Sequence, residues 1–196
     1  MAHYFTDNSS LRSNRKEFSY CFDNEKFIFT TDIGVFSKGE IDTGSELLIK
    51  NVYKKSIGEL CLDLGCGYGP IGIIIKRFNP YINMDGVDVN SRAIELASLN
   101  SEINKTQISF YLTEDITTLN KMYDTILLNP PIRAGKKIIY DLYEKSYEVL
   151  KESGSLYIVI RKKQGADSSF KKLQDIFKKV EIVAKAKGYE IIQAIK

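Results

Sequence analysis

The sequence predicts an α/β fold: a doubly wound, mostly parallel sheet of seven strands, with helices on both faces. Short apolar strands alternate with helical segments from residue 59 onward. The turn at Lys187-Gly188 is too short for anything but antiparallel pairing, so the C-terminal end of the sheet is expected to be antiparallel. Aromatic runs around Asp23-Asn24 indicate an N-terminal β-hairpin. With 196 residues, 43% of them apolar, the chain can bury a core as one domain.

The elements follow from local patterns. The hairpin pairs residues 17–22 with 26–31, and a helix over 41–53 is capped by Asp42 or Thr43. Strands are expected over residues 59–62, 82–87, 107–112, 123–128, 155–160, 180–185 and 189–194. Helices are expected over residues 70–78, 91–104, 136–150 and 168–178, and the second of them should bury Ala93, Leu96, Ala97, Leu99 and Ile103. We expect one domain over residues 1–196, with an extension (1–57) and a core (58–196).

The charge of the chain is unevenly distributed. Residues 58–128 carry 5 basic and 9 acidic side chains, whereas residues 129–196 carry 15 basic and 8 acidic ones. Such clusters are typical either of solvated helix and loop faces or of a surface that binds a polyanion such as RNA. The sequence alone leaves both interpretations open.

Several classes of protein are not expected. The longest apolar run, residues 71–75, is far shorter than the ~18 residues of a membrane span, and the N-terminus has no secretory-signal pattern. Three scattered cysteines and one histidine form no zinc motif. We therefore expect a cytoplasmic protein with no membrane and no metal partner.

Three strand ends carry residues suited to a nucleoside. The first is followed by Gly65, Gly67 and Gly69, which let backbone N–H groups approach a ligand closely. Asp88 ends the second strand, 23 residues after Gly65, where a carboxylate can accept both hydroxyls of a ribose. Asp115 follows the third and could accept from an adenine amino group. Each feature also has a purely structural interpretation: the glycines as a packing turn, Asp88 as a helix N-cap and Asp115 as a solvated loop acid. Because ligands bind at the carboxyl ends of such sheets, the three together predict a nucleoside site.

The charge of the glycine-rich loop distinguishes between two nucleoside cofactors. NAD sites place GxGxxG where the pyrophosphate meets a helix N-terminus. Here the spacing is GxGxG, Asp63 precedes it, and Pro70 removes one N–H donor. An acid at this point repels a pyrophosphate and attracts an ammonium or sulfonium group, which favours S-adenosylmethionine over NAD.

The fourth strand ends in Asn129-Pro130-Pro131, which is either a rigid corner or a binding element for an amino group. The Asn129 side-chain oxygen and the Pro130 carbonyl could accept both N–H bonds of one planar amine. That arrangement would turn the nitrogen lone pair out of the ring plane, toward an electrophilic methyl group. A strong general base is not needed, because the proton can leave after the nitrogen becomes cationic.

The motifs DLGCGYG (residues 63–69) and NPPIRAGK (129–136), with Asp88 between them, resemble class I S-adenosylmethionine-dependent methyltransferases of the NPP amino-methylating type. Within that group the chain is similar to small single-domain relatives of the RsmC 16S ribosomal RNA guanine-N2 methyltransferases. The segment GVFS (34–37) and RKKQGA near the end extend the likeness over nearly the whole chain.

The resemblance implies a Rossmann-like methyltransferase sheet and transfer of a methyl group to an exocyclic amine, with guanine N2 of ribosomal RNA as the expected target. Asn129, Pro130 and Pro131 would hold the amine, and the segment 35–37 would fold over the cofactor. The implied S-adenosylmethionine-binding residues are Phe36, Asp63, Gly65, Cys66, Gly67, Asp88, Val89, Asp115 and Asn129.

A base held at this corner must be turned out of its stack, so flanking phosphates are expected to meet basic residues just beyond it. The implied RNA contacts are Ile132, Arg133, Lys136 and Lys162. Ile132 stands where many relatives have a base-stacking aromatic residue, which leaves Phe36 or Tyr68 as candidates for that role. Two other functions remain open: methylation of a protein glutamine amide or a small-molecule amine, and RNA binding without catalysis.

Overall fold

The computed structural model describes residues 13–35 and 39–196. The hairpin consists of β1 (Lys16–Phe22) and β2 (Glu25–Thr31). The strands of the main sheet are β3 (Leu60–Leu64), β4 (Asn83–Asp88), β5 (Ile108–Leu112), β6 (Tyr123–Leu128), β7 (Leu150–Arg161), β8 (Lys179–Ala186) and β9 (Tyr189–Ile195). The helices are α1 (Thr43–Val52), α2 (Pro70–Phe78), α3 (Ser91–Ile103), α4 (Lys136–Val149) and α5 (Ala166–Gln174).

The main sheet is doubly wound. In the described part of the chain it has seven strands in the order β5-β4-β3-β6-β7-β9-β8. Strands β3 to β7 are parallel, and β9 runs antiparallel to both β7 and β8. The chain winds outward from β3 to β5 and then returns to β6 on the other side of β3, so a crevice opens where their carboxyl ends meet. The predicted fold class is confirmed.

The hairpin forms its own two-stranded sheet. Its turn residues Asp23 and Asn24 have φ angles of 46° and 66°, as a two-residue type I′ turn requires. Phe27 and Phe29 are buried in one apolar cluster with residues of α1, α2 and the main sheet. The hairpin thus shares its core with the rest of the fold.

Two asparagines, Asn100 of α3 and the C-cap Asn104, pair with the edge of β2. Asn100 accepts from the backbone N–H of Thr30 (2.7 Å) and donates to the carbonyls of Thr30 and Tyr68 (2.9 Å each). Asn104 bonds both backbone groups of Ile28 in the same way. These amides saturate an edge that would otherwise be buried unpaired.

The predicted buried face of α3 is wrong at one position and incomplete at another. Ala93, Leu96 and Ala97 are buried, but Ile103 is 37% exposed and Leu99 is only partly buried. The face turned to the hairpin meets backbone donors and acceptors, so polar amides occupy it in place of the expected apolar side chains.

The predicted bounds differ most from the observed ones in two elements, β7 and α5. β7 begins directly after α4, five residues before the predicted start, because residues 150–154 form an irregular stretch in which Ser153 has a φ of 62°. α5 begins after Gly165 and ends at Gln174, short of the predicted residue 178.

Residues 13–35 and 39–196 contain no helix long and apolar enough to cross a membrane. Nor do they contain a group of three His, Cys, Asp or Glu side chains that could hold a metal ion.

Replacing Asn100 with alanine tests the contact between hairpin and core. N100A leaves three backbone groups without partners, so we expect the free energy of unfolding to fall by about 3 kcal/mol or more in urea denaturation. Asn83, exposed at the start of β4, provides the matched control N83A, whose unfolding should stay within about 0.5 kcal/mol of wild type. Equal effects of the two variants would contradict this role of Asn100.

Candidate active site

A cavity of about 730 Å³ opens at the carboxyl edge of the sheet. Its walls are the loops after β3, β4, β5 and β6, the start of α1 and one face of α4. The volume is in the range of sites that enclose a small ligand. The cavity brings together most of the predicted site residues: Gly65, Cys66, Gly67, Asp88, Val89, Asp115, Asn129, Pro130 and Pro131.

The glycine-rich loop leaves open space beside its backbone. Gly65 and Gly67 have φ angles of 70° and 57°, which favour glycine, and a Cβ added at either would meet no atom within 4 Å. The N–H groups of Gly65 and Cys66 both donate to the Val87 carbonyl, at 2.8 and 2.9 Å. The loop is therefore fixed to the end of β4 while its outer side faces the cavity. Burial raises the pKa of the Cys66 thiol well above its usual value, which keeps the thiol neutral.

Asp88 presents a carboxylate to the cavity. Its Oδ2 accepts from the Gly67 N–H and its Oδ1 from the Asn90 N–H, each at 2.9 Å. Burial raises its pKa, and these two N–H groups oppose that shift. The N-cap of α3 is Asn90, which accepts from the Arg92 N–H, so capping that helix is not the role of Asp88. Each oxygen of Asp88 retains a lone pair for a hydroxyl of a ligand.

Asp63 lies behind the glycine-rich loop, outside the described cavity wall. It is 1% exposed; its Oδ2 accepts from the Gly72 N–H at 2.8 Å, and its Oδ1 has no partner among the described residues. Burial, followed by the charge of Asp88, raises the pKa of Asp63 to about 7. The carboxyl group is thus only partly ionised at neutral pH, which weakens the charge argument made from the sequence. Its contact with the cofactor stays a prediction.

Asp115 lies in the wall beyond β5. Its Oδ1 accepts from the backbone N–H (3.1 Å) and the hydroxyl (2.9 Å) of Thr117, and these bonds lower its pKa. Lys145 of α4 also lines the cavity, with its Nζ 3.8 Å from Asp115 and 3.0 Å from Asp141. Asp115 is therefore an ionised acceptor at neutral pH in the cavity wall. Its contact with an adenine amino group stays a prediction.

Asn129 begins the corner after β6. Its Nδ2 donates to Asp42 (3.2 Å to Oδ1) and to the Ser45 hydroxyl (3.0 Å), both on the first turn of α1. Within residues 13–35 and 39–196, no donor contacts its side-chain oxygen. Asn129 thus has an acceptor available in the wall of the cavity, as the amine hypothesis requires.

The predicted RNA contacts lie outside the described cavity wall. Ile132 is partly buried against the core beside α4, whereas Arg133, Lys136 and Lys162 are exposed. Phe36 and Ser37 lie outside the described residues; their neighbour Val35 lines the cavity.

The residues that could contact a base differ in how much of their side chain is exposed to the cavity. Tyr68 lines the cavity but is only 2% exposed, and its hydroxyl donates to the Glu40 carbonyl, so its ring offers no free face. Ile138, which the sequence analysis missed, is 45% exposed in the wall. The same face of α4 contributes Asp141, Leu142 and Lys145 to the cavity wall, and the sequence analysis did not predict these residues either. Their spacing of three and four residues places them on one face of a helix, which is the pattern that could have indicated them.

Comparisons with known proteins decide the family. The model of the methyltransferase small domain matches residues 26–193. The chain belongs to this family. Its relatives include the uncharacterized protein YbxB of Bacillus subtilis, 44% identical over 197 residues, which cover 99% of this chain and 98% of that protein.

More distant relatives carry a functional name. Ribosomal RNA small subunit methyltransferase C of Aliivibrio fischeri (strain ES114) is 34% identical over 148 residues, which are 74% of this chain and 43% of that enzyme. The protein of the same name from Psychromonas ingrahamii is 36% identical over 130 residues, 64% of this chain and 37% of that enzyme. The chain spans about two fifths of the length of these enzymes.

Among solved structures, the Thermus thermophilus 16S rRNA N2 G1207 methyltransferase (RsmC), in complex with AdoMet and guanosine, has the same fold. The TM-score is 0.84 at 22% identity, over 95% of this chain and 52% of that chain. M. jannaschii TYW2 in complex with AdoMet aligns with a TM-score of 0.67 at 16% identity, over 94% of this chain and 88% of that one.

S-adenosylmethionine is the cofactor of this methyltransferase, and the cavity fits it. The open space beside Gly65 and Gly67 lets a ligand approach the loop backbone, and Asp88 and Asp115 place carboxylate oxygens in the wall, as the predicted ribose and adenine contacts require. When bound, the cofactor supplies an electrophilic methyl group on a sulfonium centre.

Asp63 should make the stability of the protein depend on pH. Its pKa is raised from 3.8 to about 7 in the folded state, so between these pH values the native chain holds a proton that the unfolded chain has released. The free energy of unfolding of wild type should therefore fall, relative to D63N, by up to about 4 kcal/mol as pH rises from 4 to 7. Denaturation across this range measures the difference.

The control is D175N, which replaces an exposed aspartate. Its stability should follow that of wild type at every pH. If the D63N curve also ran parallel to wild type, the raised pKa of Asp63 would be refuted.

Proposed function

We propose that this chain transfers a methyl group from S-adenosylmethionine to an exocyclic amino group of a nucleobase, with guanine N2 of ribosomal RNA as the target. One observation carries the proposal: Asn129, with its side-chain oxygen available, lies in the same cavity as Asp88 and the glycine-rich loop. A donor of methyl groups and an amine can therefore be bound side by side.

The corner after β6 would activate the amine. The Asn129 oxygen and the Pro130 carbonyl accept its two N–H bonds, which directs the nitrogen lone pair out of the base plane. S-adenosylmethionine, when bound beside this corner, would supply the methyl group: the nitrogen would form its N–C bond as the S–C bond breaks, and the cationic nitrogen would then release its proton to water. Orientation of the reacting groups can contribute roughly 7–11 kcal/mol, so positioning is the main task of these residues.

A set of unpaired cations supports RNA as the substrate. Among the described residues, none of these six forms an ion pair: Arg133, Lys136, Lys137, Arg161, Lys162 and Lys163. Arg161 ends β7 and the other five follow β6 or β7, at the edge of the sheet where the cavity opens. Unpaired cations at the mouth of a site attract a polyanion more strongly than cations that carboxylates already neutralise.

Three lysines of the later basic segments differ in this respect. Lys172, Lys178 and Lys179 pair with Glu144, Glu152 and Glu181, at N–O distances of 2.6, 2.9 and 2.9 Å. Lys178 precedes β8 and Lys179 begins it, at the amino edge of the sheet, opposite the cavity. The proposal for ribosomal RNA is further supported by the relatives that are 34–36% identical, which are named ribosomal RNA small subunit methyltransferase C.

Methyl transfer can be assayed directly. The protein and labelled S-adenosylmethionine are incubated with RNA from cells lacking this gene, both naked and within ribosomal particles, and the modified base is mapped. We expect label on a guanine N2. N129A should lower turnover by about 100-fold or more, because the amine loses its orientation, while N83A should not.

Each other outcome contradicts a stated part of the proposal. Label in protein but not in RNA would favour a glutamine amide as the target. Cofactor binding without any transfer would favour an RNA-binding protein that is not an enzyme.

Charge reversal tests the RNA surface. K136E/K162E should weaken RNA binding and lower the slope of log affinity against log salt by about two, because two phosphate contacts are lost. The control K178E/K179E changes the net charge equally at the opposite edge and should leave the slope unchanged. RNA binding is measured over a salt series. If both variants behaved like wild type, the assignment of this surface to RNA would be wrong.

A further inference from the structure

Asp42 makes two kinds of contact at once. As N-cap of α1 its Oδ1 accepts from the N–H groups of Gly44 (2.9 Å) and Ser45 (3.1 Å). The same carboxylate receives the Nδ2 of Asn129, at 3.2 Å from Oδ1 and 3.4 Å from Oδ2. A cap needs only the first pair of bonds, so the contact with Asn129 is additional.

The carboxylate determines which way the Asn129 amide faces. An ionised aspartate can only accept hydrogen bonds, so the amide must turn its NH₂ group toward Asp42. The opposite orientation would place two acceptor oxygens about 3.2 Å apart. The Ser45 hydroxyl accepts from the same Nδ2. With its nitrogen engaged twice, Asn129 has only its oxygen to offer to a ligand.

Gly44 leaves room for the Asp42 carboxylate. A Cβ at this position would lie 3.0 Å from Asp42 Oδ1 and 3.3 Å from Tyr189 Cε1, whereas its distance of 3.5 Å to Asn129 Nδ2 would be an ordinary contact. Because the φ of Gly44 is not in the left-handed region, its small size is the property that matters here. The first turn of α1 thus lies directly against the corner that would hold the amine.

We propose that Asp42 is a positioning residue that makes the site selective for an amino group over a carbonyl group. This inference rests on the proposed function. With Asp42 in place, the corner accepts hydrogen bonds and binds a ligand that donates them. Without it, the amide can turn over and offer its NH₂ group instead, which a keto oxygen would accept.

The variant D42S separates this role from capping. Serine is also a good N-cap, but its shorter side chain carries one oxygen and no charge to hold Asn129. D42S/S45A removes both partners of the Asn129 nitrogen. The control E46Q removes a carboxylate from the first turn of the same helix; Glu46 pairs with Lys50 and does not line the cavity.

Binding of paired nucleosides measures the selectivity. Each protein, saturated with S-adenosylhomocysteine, is titrated with guanosine and inosine, which differ by the 2-amino group, and with adenosine and purine riboside, which differ by the 6-amino group. In at least one pair, wild type and E46Q should bind the nucleoside with the amino group about tenfold more tightly than the one without it, which is the value of one good hydrogen bond. In D42S and D42S/S45A this ratio should fall close to one, with affinity for S-adenosylhomocysteine unchanged.

The outcomes distinguish this inference from the proposed function. If wild type discriminates and both variants still do, Asp42 has no positioning role, while the proposed function stands. If wild type prefers neither amino nucleoside, the proposed function fails, and the inference fails with it. If D42S lost affinity for S-adenosylhomocysteine to the same extent as for the amino nucleoside, the role of Asp42 would be merely structural. That result would overturn the inference.

Discussion

The register of three parallel strands is the constraint on which the site depends. Leu64 at the end of β3 lies opposite Val87 of β4 and opposite Leu128 of β6. The next residue on each strand therefore starts at the same level, and these residues are Gly65, Asp88 and Asn129. A slip of one residue would turn the side chains of a strand to the other face of the sheet and separate the three groups. The buried apolar residues that fix the register thus also assemble the chemistry.

This constraint explains how much the sequence could predict. Short apolar strands alternating with helices imply a parallel sheet, and parallel strands end at one edge, so Asp88, Asp115 and Asn129 could be assigned to one site before any coordinates. Contacts between distant segments could not be foreseen in this way. Asp42 and Asn129 are 87 residues apart, and their contact depends on how α1 packs, for which the sequence shows only a helix cap. Asn100 is a similar case, since two of its three partners are the backbone groups of Thr30, in a hairpin strand 70 residues away.

Charge was the property that sequence patterns described least well. Asp63 reads as a full negative charge beside the glycine-rich loop, yet its burial raises its pKa to about 7. The basic clusters look alike along the chain, but carboxylates neutralise Lys172, Lys178 and Lys179 and leave those beyond β6 and β7 unpaired. Local composition gives the number of charges, whereas only the fold determines their solvation and their partners.

A crystal structure with S-adenosylhomocysteine and an amino nucleoside tests the central claim most directly, namely that cofactor and amine meet in one cavity. We expect the ribose at Asp88, the adenine near Asp115 and the sulfur directed at the Asn129-Pro130 corner. The amino nitrogen should be accepted by Asn129, near the position that the methyl carbon occupies in the active cofactor, since reacting atoms approach to about 3–3.5 Å. A nucleoside bound outside the cavity, or a sulfur turned away from the corner, would contradict the account.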